Sequence, residues 1–390
     1  MTDQAIVWLD TAIDRAFQEK VSDIHLEFVE DNPFRLNVRI RTAGDLLDWT
    51  TLEGPDARAV ISRIKSIADV GSGTVRKAEE GRYLHRMGSS AIDPTLDTRD
   101  YDLAAAALPR SDLRLVVLPT IRGEKLVLRL PSISRTPRIP ELGFSDANLR
   151  LVAKLFGWAN GLVLFAGPVG AGKTTSMYSA IEYLGGPGKA VYSVEDPVER
   201  ALDDVDQIEV NDAAGNGFGS ILRSLRRSDL QVLMIGEIRD AETAYSAIQI
   251  SIAGARVVSS IHANDSVAAV EAMLALSGAN PQQVMQSLRG VVSQRLVKRI
   301  HVPCNGSGRL PGGEICRDCL GTGADGRLSI HEVLPISQEF AEAVGRGENR
   351  YTLIQLAKQA GMVTLREDAQ RRLQAGETTG PWLAEVLGSE

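Results

Sequence analysis

The sequence has 390 residues, of which 44% are hydrophobic, 24% are charged and 5% are aromatic. Lysine and arginine total 43 against 50 acidic residues, so the formal net charge is -7. That balance disfavours a general nucleic-acid coat, although a local basic stripe could still be present. The length and hydrophobic content predict about two or three folded domains and exclude wholesale disorder.

The first segment, MTDQAIVWLDTAIDRAF, is expected to be an amphipathic surface helix. It carries acids where a signal peptide needs basic residues, and Ile6, Leu9, Ile13 and Phe17 fall on one helical face. No run of about 18 apolar residues occurs, so no segment is expected to cross a membrane. Three cysteines, an odd number, favour a reducing cytoplasm.

Short alternating runs between Val21 and about Leu130 predict strands at DIHLEFV, FRLNVRIRT, LRLVVLP and KLVLRL. DARAVISRIKSIADV, which lies between them, has the periodicity of a helix, and SSAIDPTLDTRDYDLAAAALPR resembles a loop or insertion. PSISRTPRIPELGF contains three prolines and is typical of a linker.

Apolar strands alternate with helical patterns in the rest of the chain. The strands are GLVLFA, AVYSV, VLMIG and RVVSSI. This order predicts a parallel sheet with crossover helices.

The stretch GPVGAGKT fits the phosphate-binding pattern G-x-x-x-x-G-K-[ST] and lies between a predicted strand and a predicted helix. Its glycines allow successive N–H groups to face phosphate oxygens, and the helix adds its positive amino-terminal end. Lys173 is expected to reach the β and γ phosphates, and the Thr174 hydroxyl is expected to hold Mg²⁺. The predicted nucleotide-binding residues are Gly167, Pro168, Val169, Gly170, Ala171, Gly172, Lys173, Thr174 and Thr175.

Acidic residues follow two further predicted strands. Glu195 and Asp196 come after AVYSV, and Glu237 follows VLMIG. Because parallel strands converge on a ligand crevice at their carboxyl ends, these carboxylates could orient water or a magnesium-bound water. His262 ends a fourth strand, where its ring N–H could sense a γ phosphate, or it could be an inert loop histidine.

The boxes GPVGAGKTT, VEDPVE, FGSILRSLRRSD, IGEIRDAETAYSA, SSIHAND and VVSQRL resemble, in order and spacing, the hexameric ATPases of type II secretion and type IV pilus assembly. The resemblance covers roughly residues 20–380. Many type II members have an additional N-terminal docking domain, which we expect to be absent here.

The resemblance implies roles for individual residues. Glu195 matches the family's catalytic glutamate, and Glu237 matches the atypical Walker B acid that positions magnesium and water. Arg114 and Arg129 match two arginines of the N-terminal domain that complete the nucleotide site. With Lys173 and His262, these form the expected catalytic set; Arg223, Arg227 and Arg239 are expected to give interface or phosphate-pocket support.

One departure from the family concerns a histidine. The last box usually contains two histidines, but the first position is Ala255 here. The phosphate loop and both catalytic acids are retained, so we expect an active but divergent member.

HVPCNGSGRLPGGEICRDC offers four soft ligands as H-x2-C and C-x2-C pairs, a pattern that suits tetrahedral Zn²⁺. The expected ligands are His301, Cys304, Cys316 and Cys319; the alternative is a degenerate loop with three reduced thiols. Assembly-type family members carry four cysteines here, and retraction-type motors generally lack the element.

The expected architecture is a RecA-like α/β ATPase domain with a parallel sheet, a smaller PAS-like α/β domain and a zinc-binding element. We place the N-terminal domain at residues 1–130, a linker at 131–144 and the ATPase domain at 145–390. The last includes a zinc element at 298–330 and a helical part at 331–390.

The resemblance implies an ATP-hydrolysing motor that uses ATP and Mg²⁺ and holds a structural Zn²⁺. It is expected to be a homohexamer on the cytoplasmic face of the inner membrane, acting on a membrane platform protein and binding no specific nucleic acid. Two alternatives stay open: a conjugation or type IV secretion ATPase, and a weakly hydrolysing regulatory subunit. A helicase-type motor would need a basic, aromatic-bearing channel, which the composition disfavours.

Overall fold

A computed structural model of the protein describes residues 3–31, 34–71, 77–88, 110–131 and 135–388. The chain divides into a first unit, Met1–Ser134 with Arg317–Thr322, and a second unit, Arg135–Cys316 with Gly323–Glu390. Most of the expected insertion, residues 89–109, and residues 132–134 of the expected linker lie outside the described residues.

The first unit contains a six-stranded antiparallel sheet with the spatial order β3-β2-β1-β6-β5-β4. Two helices accompany this sheet in the part of the unit that the structure describes, α1 (Asp3–Gln18) and α2 (Gly54–Ile67). The strands are β1 (Asp23–Asp31), β2 (Phe34–Thr42), β3 (Asp45–Glu53), β4 (Glu79–Arg86), β5 (Arg110–Thr120) and β6 (Gly123–Arg129).

Alternating apolar residues build the core of the first unit. On β2 the buried side chains are Leu36, Val38 and Ile40, one on every second residue. They join one cluster with Leu9 and Ile13 of α1. The period of two therefore turns one face of the sheet toward the helices.

The second unit is built on a seven-stranded sheet with the order β13-β12-β7-β11-β10-β8-β9. The strands from β7 to β12 pair with one another in parallel. The last strand, β13, lies at one edge and pairs antiparallel with β12. The strands are β7 (Gly161–Ala166), β8 (Val191–Glu195), β9 (Asp206–Glu209), β10 (Val232–Ile235), β11 (Arg256–Ile261), β12 (Leu288–Ile300) and β13 (Ala324–Pro335).

Helices cover both faces of this sheet. Along β7, Leu162 and Leu164 belong to one apolar cluster, whereas Val163 and Phe165 belong to another. Both faces are therefore buried, as is usual for a parallel sheet. The helices are α3 (Asp146–Phe156), α4 (Lys173–Leu184), α5 (Phe218–Leu225), α6 (Ala241–Ile252), α7 (Ser266–Ser277), α8 (Pro281–Ser287), α9 (Gln338–Gly345), α10 (Arg350–Gln359), α11 (Leu365–Gln374) and α12 (Gly380–Leu387).

These two units confirm the predicted mixed α/β fold class with a parallel sheet. The six-residue strands predicted at GLVLFA and RVVSSI coincide with β7 and β11. None of the helices in the described ranges has both the length and the apolar character needed to span a bilayer.

A buried histidine on β13 lies among apolar and aromatic neighbours of the second unit. The ring of His331 lies 4.0 Å, centroid to centroid, from the ring of Phe144, and neither ring nitrogen has a hydrogen-bond partner among the described residues. Burial, with smaller contributions from Arg372 and Arg371, lowers the pKa of His331 from 6.5 to about 3. The folded state therefore binds this proton less readily than the unfolded state does.

We expect the stability that depends on neutral His331 to be complete above pH 6.5 and to be lost as the pH falls toward 3. The loss should approach about 1.4 kcal/mol per pH unit in that window. Thermal unfolding of the parent and of His331→Phe between pH 7 and pH 4 checks this. The variant should lose less stability on acidification, and parallel curves would contradict the prediction.

Candidate nucleotide-binding site

Four strands of the second unit end at the same edge of the sheet. Ala166 of β7 pairs with Ile261 of β11, and Ile235 of β10 pairs with Val194 of β8. The segments that follow these strands carry GPVGAGKT, the Glu195 acidic box, the Glu237 box and His262. The parallel register therefore brings together the elements that the sequence predicted to share a crevice.

The loop between β7 and α4 has the backbone of a phosphate cradle. Gly167, Gly170 and Gly172 have φ angles of 154°, 77° and 84°, in the region that favours glycine. A Cβ on Gly167 would lie 2.7 Å from the carbonyl oxygen of Gln294, so this position also lacks room for a side chain. Helix α4 begins at Lys173, and its amino-terminal end is suited to hold an anion.

Lys173 lies against the loop it belongs to. Its Nζ donates hydrogen bonds to the carbonyl oxygens of Gly167, at 2.8 Å, and Pro168, at 3.0 Å. Burial lowers the pKa of Lys173, and nearby Glu237 acts in the opposite direction. Thr174 is half-buried in the first turn of α4. Lys173 and Glu237 are thus close enough to interact electrostatically.

Glu195 is buried and accepts three hydrogen bonds. Oε2 accepts from the Tyr178 hydroxyl at 2.6 Å, and Oε1 accepts from Ser193 Oγ at 2.6 Å and Gln207 Nε2 at 3.0 Å. Only 3% of the residue is exposed. These donors fix the orientation of the carboxylate. Sequence reasoning missed all three, although Ser193 stands two residues before Glu195 on the same face of β8.

Glu237 lies in a second cluster of charged groups. His262 Nε2 is 2.6 Å from Glu237 Oε1, and Arg239 Nε donates to Glu237 Oε2 at 2.6 Å. Arg239 Nη1 is also 3.6 Å from an oxygen of Asp196. The imidazole therefore lies against the acid that the family resemblance assigns to magnesium and water, although Glu237 Oε1 has no partner of hydrogen-bond geometry among the described residues.

Arg114 and Arg129 lie in the first unit, directly opposite each other on β5 and β6. Arg82 of β4 is the cross-strand partner of Arg114. Asp23 lies opposite Arg129 on β1, with 3.3 Å between Arg129 Nε and the Asp23 carboxylate. The role of the two predicted arginines at a nucleotide stays a prediction.

Arg223 and Ala255 have other surroundings. Arg223 pairs with Glu242 on the neighbouring helix α6. Ala255 is buried immediately before β11, whereas His262 follows the other end of that strand. At about 3.3 Å per residue, some 20 Å separate the two positions, so Ala255 gives no support for a loss of chemistry at His262.

The four predicted metal ligands come together in the segment between β12 and β13. His301 Nδ1 lies 3.3 Å from Cys304 Sγ and 3.6 Å from Cys316 Sγ, and with Cys319 all four ligand atoms lie within 4.8 Å of one another. All four residues are buried. A tetrahedral Zn²⁺ with bonds of about 2.0–2.3 Å places its ligand atoms about 3.3–3.8 Å apart, so this donor set fits the metal.

Comparison with known sequences gives consistent matches. Residues 102–388 match the family described as Type II/IV secretion system protein. The chain is 33% identical to the type IV pilus assembly ATPase PilB of Thermus thermophilus, covering 96% of this chain and 42% of that protein. It is 34% identical to the type II secretion system protein HxcR of Pseudomonas aeruginosa, covering 97% of this chain and 76% of that protein.

Two solved structures share the fold. The ATPase DotB of Legionella pneumophila aligns with a TM-score of 0.70 and 16% identity, covering 96% of this chain and 94% of that one. The pilus retraction motor PilT with bound ADP aligns with a TM-score of 0.64 and 19% identity, covering 96% of each chain. At these identities the likeness is one of fold.

Gly167→Ala should weaken nucleotide binding. The backbone conformation of Gly167 is expected to cost an alanine about 1–3 kcal/mol, so the loop should relax to another conformation in the variant. Nucleotide binding must then restore the original conformation at that cost. Calorimetry with magnesium-ADP should show affinity reduced by about tenfold to a hundredfold. Gly345→Ala, where no atom lies within 4 Å of the added Cβ, is the matched control and should bind normally. Equal affinity in both variants would contradict the assignment of the loop.

Proposed function

This chain belongs to the type II/IV secretion system protein family, and we propose that it is a magnesium-dependent ATPase that powers assembly of a type II secretion pseudopilus or type IV pilus. The chain spans 42% of the length of PilB and 76% of HxcR, so its activity is argued from its own residues. The observation that supports hydrolysis most directly is the meeting of Lys173, Glu237 and His262 beside the phosphate loop.

The phosphate loop would bind the nucleotide. The loop's backbone N–H groups between Gly167 and Thr174, Pro168 excepted, and the amino-terminal end of α4 would face the phosphates, and Lys173 would exchange its loop carbonyls for phosphate oxygens. The Thr174 hydroxyl and, through water, Glu237 would hold Mg²⁺. When bound, Mg²⁺ neutralises charge on the phosphate oxygens.

Glu195 would orient the attacking water. An ionised carboxylate has about four acceptor sites, and three are taken by Tyr178, Ser193 and Gln207. The remaining site, on Oε2, can accept a hydrogen bond from water while the donors prevent rotation of the group. His262 would hold Glu237 in position and respond to the γ phosphate.

Arg114 and Arg129 would add positive charge to the developing phosphoryl group, a contribution of roughly 10³ or more in rate. Their placement on neighbouring strands presents two guanidinium groups from one sheet face. Because they belong to the first unit, we propose that the linker at 131–144 acts as a hinge between residues 1–130 and 145–390.

The proposed assembly is a homohexamer on the cytoplasmic side of the inner membrane. It would act on a platform protein of a secretion or pilus machine and bind no specific nucleic acid. The names of the relatives from Thermus thermophilus and Pseudomonas aeruginosa support this placement over a conjugation system. Zn²⁺ held by His301, Cys304, Cys316 and Cys319 would stabilise the local fold and take no part in hydrolysis.

Lys173→Ala should abolish most ATP hydrolysis, because it removes the half-buried cation that we propose contacts the phosphates. We expect steady-state phosphate release to fall by at least about a hundredfold. Lys189→Ala is the matched control, since its Nζ also donates to two backbone carbonyls, those of Leu184 and Gly185, beyond the other end of α4. Equal rates for the parent and Lys173→Ala would refute the site.

The purified parent should contain about one zinc ion per chain by elemental analysis. Cys319→Ser should lose the metal and unfold at a lower temperature, because a structural zinc site contributes folding free energy. His262→Ala should keep the zinc, since its imidazole pairs with Glu237 instead. A metal-free parent with unchanged stability on chelation would rule out the zinc assignment.

A further inference from the structure

Two polar residues of β12, Gln294 and Arg295, are buried beside the phosphate loop. Ser293 pairs with Ala166, the residue before Gly167, so Gln294 and Arg295 stand where β7 ends and the loop begins. Gln294 is 1% exposed and Arg295 is 7% exposed. Neither was among the candidate site residues from the sequence.

Gln294 makes two contacts with the phosphate loop and one with the helix that follows it. Its Nε2 donates to the carbonyl oxygen of Ala171 at 2.6 Å, and its Oε1 accepts from the Ser176 hydroxyl of α4 at 2.8 Å. Its backbone carbonyl closes the space beside Gly167. The side chain therefore fixes both the phosphate loop and the helix that follows it.

Arg295 joins this arrangement to the loop that carries His262. Its Nη1 donates to the carbonyl oxygen of Gln294 at 2.9 Å, and its Nη2 donates to that of Asn264 at 2.6 Å. Asn264 is two residues beyond His262. The guanidinium of Arg295 also lowers the pKa of Lys173, although its effect is smaller than those of burial, which lowers this pKa, and Glu237, which raises it.

Packing alone does not explain a guanidinium at this position. Burial lowers the pKa of Arg295, with Asp265 and Glu332 partly offsetting it, so the charge is costly to hold there. Burying a charge away from water is unfavourable, and an apolar side chain of similar volume would fill the space with less loss of stability. The hydrogen bonds to the carbonyl oxygens of Gln294 and Asn264 indicate instead that the guanidinium holds two backbone segments together.

We propose that Gln294 and Arg295 are positioning residues for the proposed ATP site, and that they hold the phosphate loop and the His262 loop in one arrangement. Nucleotide on the loop then fixes His262 against Glu237 through Ala171, Gln294, Arg295 and Asn264. The expected effect on the rate of hydrolysis rests on the proposed function. The linkage between the two loops rests on the structure alone.

The kinetic test compares Arg295→Lys, His262→Ala and the double variant. Lysine keeps the positive charge but lacks the fork that spans two carbonyl oxygens, so kcat should fall by about tenfold to a hundredfold with little change in KM. In the His262→Ala background the same substitution should have a much smaller effect, because its consequence passes through His262. If Arg295→Lys lowers kcat by the same factor in the parent and in the His262→Ala background, the proposal is overturned. An unchanged kcat in Arg295→Lys would also overturn it.

Arg289→Lys is the matched control on the same strand. Its guanidinium donates to the carbonyl oxygens of Asn160 and Gln286 near the start of β12, about 20 Å from Arg295 by strand geometry. Its kcat should equal that of the parent. A loss equal to that of Arg295→Lys would show that replacing any carbonyl-bonded arginine on this strand impairs the protein, and the proposal would fail.

A second measurement does not require hydrolysis. Magnesium with the β,γ-imido analogue of ATP should slow amide hydrogen exchange at residues 262–265 in the parent and in Arg289→Lys. In Arg295→Lys and Gln294→Met, the analogue should still protect residues 167–175 but leave 262–265 unprotected. Protection of both loops in these variants would overturn the linkage, even for a protein that hydrolyses ATP. If the parent binds the analogue and links the loops without turnover, the proposed function fails and the linkage stands.

Discussion

The shared direction of the strands in the second unit determines where its chemistry can occur. Because β7, β8, β10 and β11 run parallel, their carboxyl ends meet at one edge, although the segments they carry are far apart in the sequence. A strand running the other way would send its acid or histidine to the opposite edge. The buried apolar residues on both faces of each strand hold this direction and register, so the core and the site have the same physical origin.

Sequence reasoning succeeded where local pattern and structure agree, as at β7, at β11 and in the strand–loop–helix order around GPVGAGKT, but it did not identify β9, β12 or β13. It missed β3 and β4, which are the two edge strands of the first sheet. Their sequences, DLLDWTTLE and EEGRYLHR, are rich in charge, as edge strands commonly are, and therefore lack a clear apolar alternation. The contacts of Glu195 with Tyr178 and Gln207, and of Arg295 with Asn264, were also missed, because they join segments that only the folded register brings together.

The two acidic residues of the site, Glu195 and Glu237, have different kinds of partner. Glu195 is fixed by neutral donors, whereas Glu237 is flanked by His262 and Arg239. The two carboxylates therefore have different surroundings, one of neutral hydrogen-bond donors and one of a guanidinium and an imidazole. Such a difference allows two chemically identical groups to serve different purposes within one crevice.

The metal-ligand segment joins β12 to β13 as an excursion from a hairpin. Ile300 and Ala324 face each other across the ladder, so the excursion starts and returns at the same point. Closing a longer connection adds little entropic cost, since that cost grows only with the logarithm of its length. An excursion of this kind can therefore differ in length without changing the pairing of the strands on either side of it.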